Sequence, residues 1–387
     1  MKIPMSMLAL TLAAAVQADE LPVSQSRRLD FPGLEDGRFV LAVDLHTHSV
    51  FSDGEVWPSV RVQEAQRDGL YGYAVTEHLE YQPKLRDIPH PDRNRSWEVA
   101  TQEVQQPEYG PVVAGDPLIV INGAEITREM PPGHCNAVFL SDANALRTDD
   151  PYAAFREARR QEAFVFWNHP YWQKQTPDGV ARMTPMHERL IKEGLLQGIE
   201  VANGADVSPE AFAIAEQHNL TIIGTSDIHG LIDWDYDLAG GAHRTATLVL
   251  AKDKTTAAVK AALMAGDTVA VYNETYIGLA RNVEPLLRSV LRAQVGAPEK
   301  RTTLVPVTLV NSGSLDILLE EIGPEGFFDE APVIKVPAHG SFTVTVRDVP
   351  DPAKLQLRFR MLSSMIGPDR MLEFTVGPGM AAAGSAR

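Results

Sequence analysis

The chain has 387 residues, 44% hydrophobic and 22% charged, which fits a soluble globular enzyme and excludes disordered or collagen-like classes. No apolar run long enough to span a membrane occurs after the first twenty residues, so a polytopic membrane protein is excluded too. With 35 basic against 51 acidic residues the formal charge is −16, which argues against nucleic-acid binding and requires local cations or metals for any anionic ligand.

Residues 1–18, MKIPMSMLALTLAAAVQA, carry one early cation, Lys2, then an apolar run from Met5 to Val16 and small residues at Val16 and Ala18. This is the pattern of a signal peptide, and it predicts a periplasmic protein, with secretion as the alternative. Cleavage after Ala18 removes only Lys2 from the charge count and leaves −17. An N-terminal extension follows over 19–39. The only cysteine, Cys135, has no internal partner for a disulfide, so the core must hold the fold.

From about 40 to 280, β-branched runs alternate with helical patterns. The runs are Phe39–Leu45, Tyr71–Thr76, Leu118–Glu125, Cys135–Leu140, Ala163–Trp167, Gly198–Val201 and Thr221–Thr225. Helices are predicted over Val60–Asp68, Ala153–Glu162, Met186–Leu196 and Pro209–Gln217, with Pro58 and Pro209 near starts and Gly69 and Gly194 near ends. The alternation predicts an α/β barrel or an open parallel sheet. A linker helix is predicted within 281–294, over Glu284–Arg292. Strands follow at Thr303–Val310, Leu315–Glu320, Val333–Val336, Ser341–Val346 and Lys354–Leu362, which predict a small β-sandwich-like accessory domain over 295–377 and a flexible tail over 378–387.

The histidines and acids fall beside predicted strand ends. His46 and His48 follow the first strand, with Asp53 close behind; His78 ends the second and Glu125 the third. His134 precedes the fourth run, His169 ends the fifth, and Asp227 and His229 end the seventh. Active sites of parallel α/β barrels gather at that end, and alternate strand residues share a face. Six imidazoles and three carboxylates converging on one rim make an implausible core without cations, and they are ligands suited to Zn²⁺, Mn²⁺ or Fe.

The segments DLHTHSVFSDG at 44–54, TEH at 76–78, GAE at 123–125, NHP at 168–170 and SDIH at 226–229 resemble the PHP (polymerase and histidinol phosphatase) family over roughly residues 40–275. That resemblance implies a distorted (βα)7 barrel and a trinuclear phosphoesterase site. His46, His48, Glu125 and Asp227 would hold one ion; Glu125 would bridge to a second held by His134 and His169; Asp53, His78 and His229 would hold a third. Asp53 stands where some members carry histidine, and its harder oxygen favours Mn²⁺ or Fe²⁺ over Zn²⁺ there. Longer phrases, SDGEVWPSVRV at 52–62, TEHLEY at 76–81, IEVANG at 199–204 and GTSDIH at 224–229, resemble an exported two-domain subgroup similar to bacterial phosphodiesterases acting on organophosphate diesters.

Two ions sharing Glu125 would share and acidify a water for in-line attack on phosphorus, with Asp227 placed to orient it. Lys84, Arg95, Arg128 and Arg244 are candidate phosphate contacts, and Tyr171 and Trp172 a candidate wall for an ester group. Glu77 and Glu200 are expected to support the ligands rather than bind metal. His187 and His243 are candidates for the leaving-group acid. The expected substrate is a small phosphate diester. The alternatives are a histidinol-phosphatase type of monoesterase, an amidohydrolase-like C–N hydrolase, and a non-catalytic metal- or glycan-binding protein. A proofreading exonuclease is disfavoured by the acidic charge.

Overall fold

The computed structural model describes residues 28–107, 118–328 and 330–378, so the predicted signal peptide and nearly all of the predicted tail lie outside the described residues. Helix starts follow local chemistry. Pro58, Pro151, Pro185 and Pro209 take first-turn positions, where a missing N–H costs nothing. Ser208 caps its helix by accepting the Ala211 N–H, and Thr184 and His187 form a reciprocal capping box.

In chain order the first part contains β1 (Phe39–Asp44), α1 (Pro58–Arg67), β2 (Gly72–Val75), α2 (Arg95–Gln105), β3 (Ile119–Ile126), β4 (Cys135–Val138), α3 (Pro151–Arg160), β5 (Phe164–Trp167), α4 (Pro185–Lys192) and β6 (Gly198–Asn203). It continues with β7 (Asp206–Val207), α5 (Pro209–His218), β8 (Thr221–Thr225), α6 (Ile232–Asp235), β9 (Ala246–Ala251), α7 (Thr256–Ala265), β10 (Thr268–Tyr272), β11 (Thr275–Ile277) and α8 (Ala280–Val290). These strands form one curled sheet ordered β11-β10-β9-β1-β2-β3-β4-β5-β6, with both β7 and β8 against β6.

The sheet curls until β8 meets β9 and β10, and threonine hydroxyls rather than a ladder make that seam. Thr247 Oγ1 accepts from Gly224 N at 3.0 Å and donates to Gly224 O, while Thr268 Oγ1 donates to Ile222 O. A Cβ at Gly224 would lie 2.7 Å from Ala270 Cβ, so only glycine permits this approach. The result is the distorted barrel.

Two details differ from the sequence reading. β4 runs antiparallel between β3 and β5, because the eight residues from Thr127 to His134 are too few for a helical crossover. The sheet also extends beyond β1 through antiparallel β9, β10 and β11, which the periodicity did not single out.

The remaining strands are β12 (Leu291–Val295), β13 (Val305–Asn311), β14 (Ile317–Glu321), β15 (Val333–Val336), β16 (Gly340–Val346), β17 (Leu357–Met361), β18 (Ser364–Met365) and β19 (Leu372–Val376). They make two small sheets, β12-β13-β16 and β15-β14-β17-β19, whose inward side chains alternate with exposed ones. The helix expected to reach Arg292 stops at Val290, since Leu291–Val295 pairs with β13. β18 pairs with β11, and one apolar core runs from Val283 and Leu286 on α8 into Val307, Leu319 and Phe359. Among the described residues no helix is long and apolar enough to cross a membrane.

Candidate metal centre

Past Asp44 the chain stays extended through His46 and His48, so both rings leave on one side and their Nε2 atoms face each other at 3.0 Å. Asp227 Oδ1 completes a triangle, 3.1 Å from His46 Nε2 and 3.2 Å from His48 Nε2. Donor atoms around an ion with bonds of about 2.0–2.1 Å are spaced by roughly 3.3 Å, so this triangle has the size of one face of a coordination shell.

Parallel bridges at Thr47–Ile228 and His78–Glu125 carry the pairing beyond the strands and align the donor segments. Gly54 lets the chain fold back against His48: a Cβ there would lie 2.7 Å from the His48 carbonyl carbon. His169 and Asp227 have φ of 25° and 50°, left-handed values that neither residue type prefers. Strain at two donors indicates that surrounding structure dictates their aim.

Glu125 is the hub. Its Oε1 lies 2.8 Å from His134 Nδ1 and 3.7 Å from His169 Nε2; its Oε2 lies 2.6 Å from His78 Nδ1 and 3.5 Å from His48 Nε2. Asp53 joins the outer side, 3.3 Å from His229 Nε2 and 3.4 Å from His78 Nε2. All nine predicted donors thus come together, in four overlapping groups: His48, Asp53, His78 and His229; His46, His48 and Asp227; His46, Glu125 and His169; His78, Glu125 and His134. The sharing of His78 and His48 between groups differs from the expected division, which gave His78 to the Asp53 ion alone. The donor set fits divalent cations. Glu125 Oε2 and His134 Nδ1 are buried, and their close contacts with neighbouring donors are not aligned as hydrogen bonds, an arrangement an ion would resolve.

Side chains behind the donors aim them. Glu200 Oε1 lies 2.8 Å from His46 Nδ1, and Glu77 accepts hydrogen bonds from Ser49 N, Ser52 Oγ and Ser96 Oγ. Asn168 Nδ2 donates to Glu125 Oε1 at 2.9 Å. The His229 Nδ1–H points to Asp227 O, leaving Nε2 towards Asp53.

The fields are strong. Burial would lower the His78 pKa, but Glu125 and Asp53 push it up to about 10. Burial and the repulsion of His229 and His78 bring His48 down to about 4. Burial opposes ionisation of Glu125, yet His78, His134 and His46 hold it well below the usual carboxylate range. Neighbouring titratable groups driven in opposite directions are a functional signature.

Seven of the nine donors, all but His46 and His48, floor a cavity of about 1090 Å³. Tyr171 and Trp172 line it as expected, the indole lying 5.4 Å from the His134 ring and 5.2 Å from His169. The four expected phosphate contacts do not line it. Arg244 is 1% exposed, paired with Asp44 at 3.2 Å and Asp68 at 2.6 Å. Arg95 pairs with Glu98 on the surface of α2, and Arg128 pairs with Glu80 at 2.8 Å. Lys84 donates to Asp53 O and Gly54 O and pairs with Glu55. His187 and His243 are buried and do not line the cavity, which removes both as leaving-group acids. Lys174, which the sequence reading missed, is the one lysine or arginine among the described lining residues, its ammonium 5.1 Å from the Trp172 ring centre. Its only signal was its place two residues after Trp172.

Comparison with solved structures gives the class. A two-domain protein from Bacteroides vulgatus, containing a predicted PHP-like metal-dependent phosphoesterase, is 37% identical over 90% of this chain and 98% of its own, with a TM-score of 0.81. The chain therefore belongs to the PHP-like metal-dependent phosphoesterase family. A candidate metal-dependent phosphoesterase from Bifidobacterium adolescentis is 17% identical over 49% of this chain and 87% of its own, with a TM-score of 0.37. PsfC from Pseudomonas syringae is 15% identical over 64% of this chain and 95% of its own, with a TM-score of 0.39. A family described as an Ig-like domain matches residues 291–376. No curated protein matches the chain.

Proposed function

We propose that this protein is an exported, metal-dependent phosphodiesterase that hydrolyses small phosphate diesters at a three-ion centre. The ions are Mn²⁺, with Zn²⁺ or Fe²⁺ as alternatives. The phosphoesterase class rests on family membership and on the converging donors. Export rests on the pattern of residues 1–18.

The preference for diesters rests on one observation, the charge of the cavity lining beyond the donors. It holds Lys174 but also Glu129, Asp206 and Glu210, with no guanidinium among the described lining residues. A monoester dianion needs further cations around its terminal oxygens. A diester monoanion needs fewer, and it brings two organic arms that a cavity of about 1090 Å³ with Tyr81, Tyr171 and Trp172 on its walls accommodates.

Bound divalent ions supply Lewis acidity and a water acidified towards neutrality. The chain's own groups do the rest. Asp227 faces the cavity with its Oδ2 3.4 Å from Asn203 Nδ2, placed to accept a proton from a water and orient it. Asn168 keeps Glu125 turned between its neighbours, Lys174 offers an ammonium to a phosphate oxygen, and Trp172 screens the His134–His169 side from solvent.

The test compares kcat/KM of Mn²⁺-loaded protein for bis(p-nitrophenyl) phosphate and p-nitrophenyl phosphate, with His46→Ala as the blank. A diester preference of at least tenfold, about 1.4 kcal/mol of transition-state binding, is expected. A monoester preference overturns the diesterase reading.

A further inference from the structure

Arg61 is not among the metal donors, yet it touches two of the segments that carry them. It lies on α1, 2% exposed, and uses all three nitrogens of its guanidinium. Nε donates to His48 O at 2.9 Å. Nη2 donates to Ile228 O at 3.3 Å, His229 O at 2.9 Å and Gly230 O at 2.7 Å. Nη1 pairs with Glu64 Oε2 at 2.5 Å, and Glu64 Oε1 accepts the Ile232 N–H at 2.8 Å. One planar fork thereby joins the chain after β1 to the chain after β8.

The donors it reaches differ in how else they are held. His229 is the most exposed of the nine, its side chain 40% exposed against 0% for His46. Its ring stacks on His48 at 4.4 Å, and its Nδ1 bonds within its own loop to Asp227 O. The position of His229 is therefore set mainly by its main chain, which Arg61 and the Glu55 N–H hold at the His229 carbonyl. The inner donors are held differently, by the buried Glu200 carboxylate at His46 Nδ1 and His169 N.

We propose that Arg61 is a positioning residue for the outer donor group, His48, Asp53, His78 and His229, and that ion occupancy there depends on its fork while occupancy of the inner group, His46, Glu125 and His169, which shares no donor with it, does not. This rests on the metal-centre reading above. A lysine would keep a charge beside Glu64 but has no planar fork to bridge the four carbonyls.

The test measures Mn²⁺ binding by equilibrium dialysis across a range of free Mn²⁺ for the full chain, for Arg61→Lys and for Leu263→Ala. Leu263 is buried in the core at α7 and stands for loss of stability at a distance. Wild type is expected to bind three ions. Arg61→Lys is expected to weaken at least one step tenfold or more and to leave at least one other, that of the His46, Glu125 and His169 group, within twofold. Leu263→Ala is expected to lower Tm and shift no step. The inference is overturned if Arg61→Lys binds like wild type, or if all its steps weaken together in line with its Tm. Wild-type protein that binds no Mn²⁺ overturns the metal reading itself, and this inference with it.

Discussion

His46 Nδ1 meets Glu200 Oε1 at 2.8 Å with both side chains fully buried, and the other oxygen of that carboxylate accepts the His169 N–H at 2.6 Å. Thr225 Oγ1 and Asn203 Nδ2 donate to it as well. One carboxylate on β6 thus fixes the ring of one donor and the main chain of another. It also settles the His46 tautomer, keeping Nδ1 protonated and Nε2 free for a cation.

Glu200→Gln keeps the size of the side chain but puts an amide NH₂ where one of these donors needs an acceptor. The expected outcome is a loss of 10- to 100-fold in Mn²⁺ affinity, measured by titration of the metal-free protein, with the barrel still folded by circular dichroism. Unchanged affinity would mean that ring packing alone aims His46.

Arg244 yields a second prediction, because its setting is structural. Burial disfavours its charge, but Asp68 and Asp44 hold its pKa above the ordinary guanidinium value. Asp44 also accepts the Ser226 N–H at 3.1 Å and the Ser226 hydroxyl at 2.5 Å, so the pair links β1 to the Asp227 segment. Arg244→Met leaves Asp44 buried without a cation and Asp68 with only Arg67, whose Nε lies 2.9 Å from its Oδ1. Urea unfolding is expected to show a loss of about 3–5 kcal/mol, with KM of the folded fraction unchanged. A KM raised tenfold at unchanged stability would return Arg244 to the substrate.

Eight of the nine donors were legible because each sits beside a strand end or in an alternating pair, and local spacing carries that information; Asp53, in the turn behind His48, was legible from the motif around it. The cations were not. The acids that claim Arg244 lie 200 and 176 residues away in the chain, and only the curl of the sheet brings them together. Cys135–Val138 was legible as a strand but not in direction, which the length of the connection from β3 decides. The runs at Ala246–Ala251 and Thr268–Tyr272 pass for loop-flanked apolar stretches until β1 offers the first an edge and the first in turn offers one to the second. Arg61 was within reach of the sequence: an arginine among the buried positions of α1, thirteen residues after His48, is a charge that must have partners.

His187 gives the pH dependence. It is fully buried; Nε2–H donates to Pro132 O at 2.6 Å and Nδ1 accepts from the Thr184 hydroxyl at 2.9 Å, so its neutral form is satisfied. Burial lowers its pKa to about 4. The unfolded chain, with an ordinary histidine near 6.5, binds this proton first as pH falls, so folded stability drops between about pH 6.5 and 4. Below that window the full contribution, on the order of 3 kcal/mol, is lost. His187→Gln is expected to remove that part of the slope of unfolding free energy against pH. An unaltered slope between pH 6.5 and 4 would assign it to other groups.

Trp172 separates substrate contact from ion support. Its indole packs on His134 and His169 and is 36% exposed to the cavity, so it is placed to touch an ester group while reaching no ion itself. Loss of an aromatic wall that binds ground state and transition state alike raises KM and spares kcat. Trp172→Ala is expected to raise KM for bis(p-nitrophenyl) phosphate about tenfold, or about 1.4 kcal/mol, at unchanged Mn²⁺ content. The rise should shrink with a methyl p-nitrophenyl diester, whose smaller arm has less surface to lose. If kcat and bound Mn²⁺ fall together at constant KM, the indole instead serves to hold the two imidazoles beneath it.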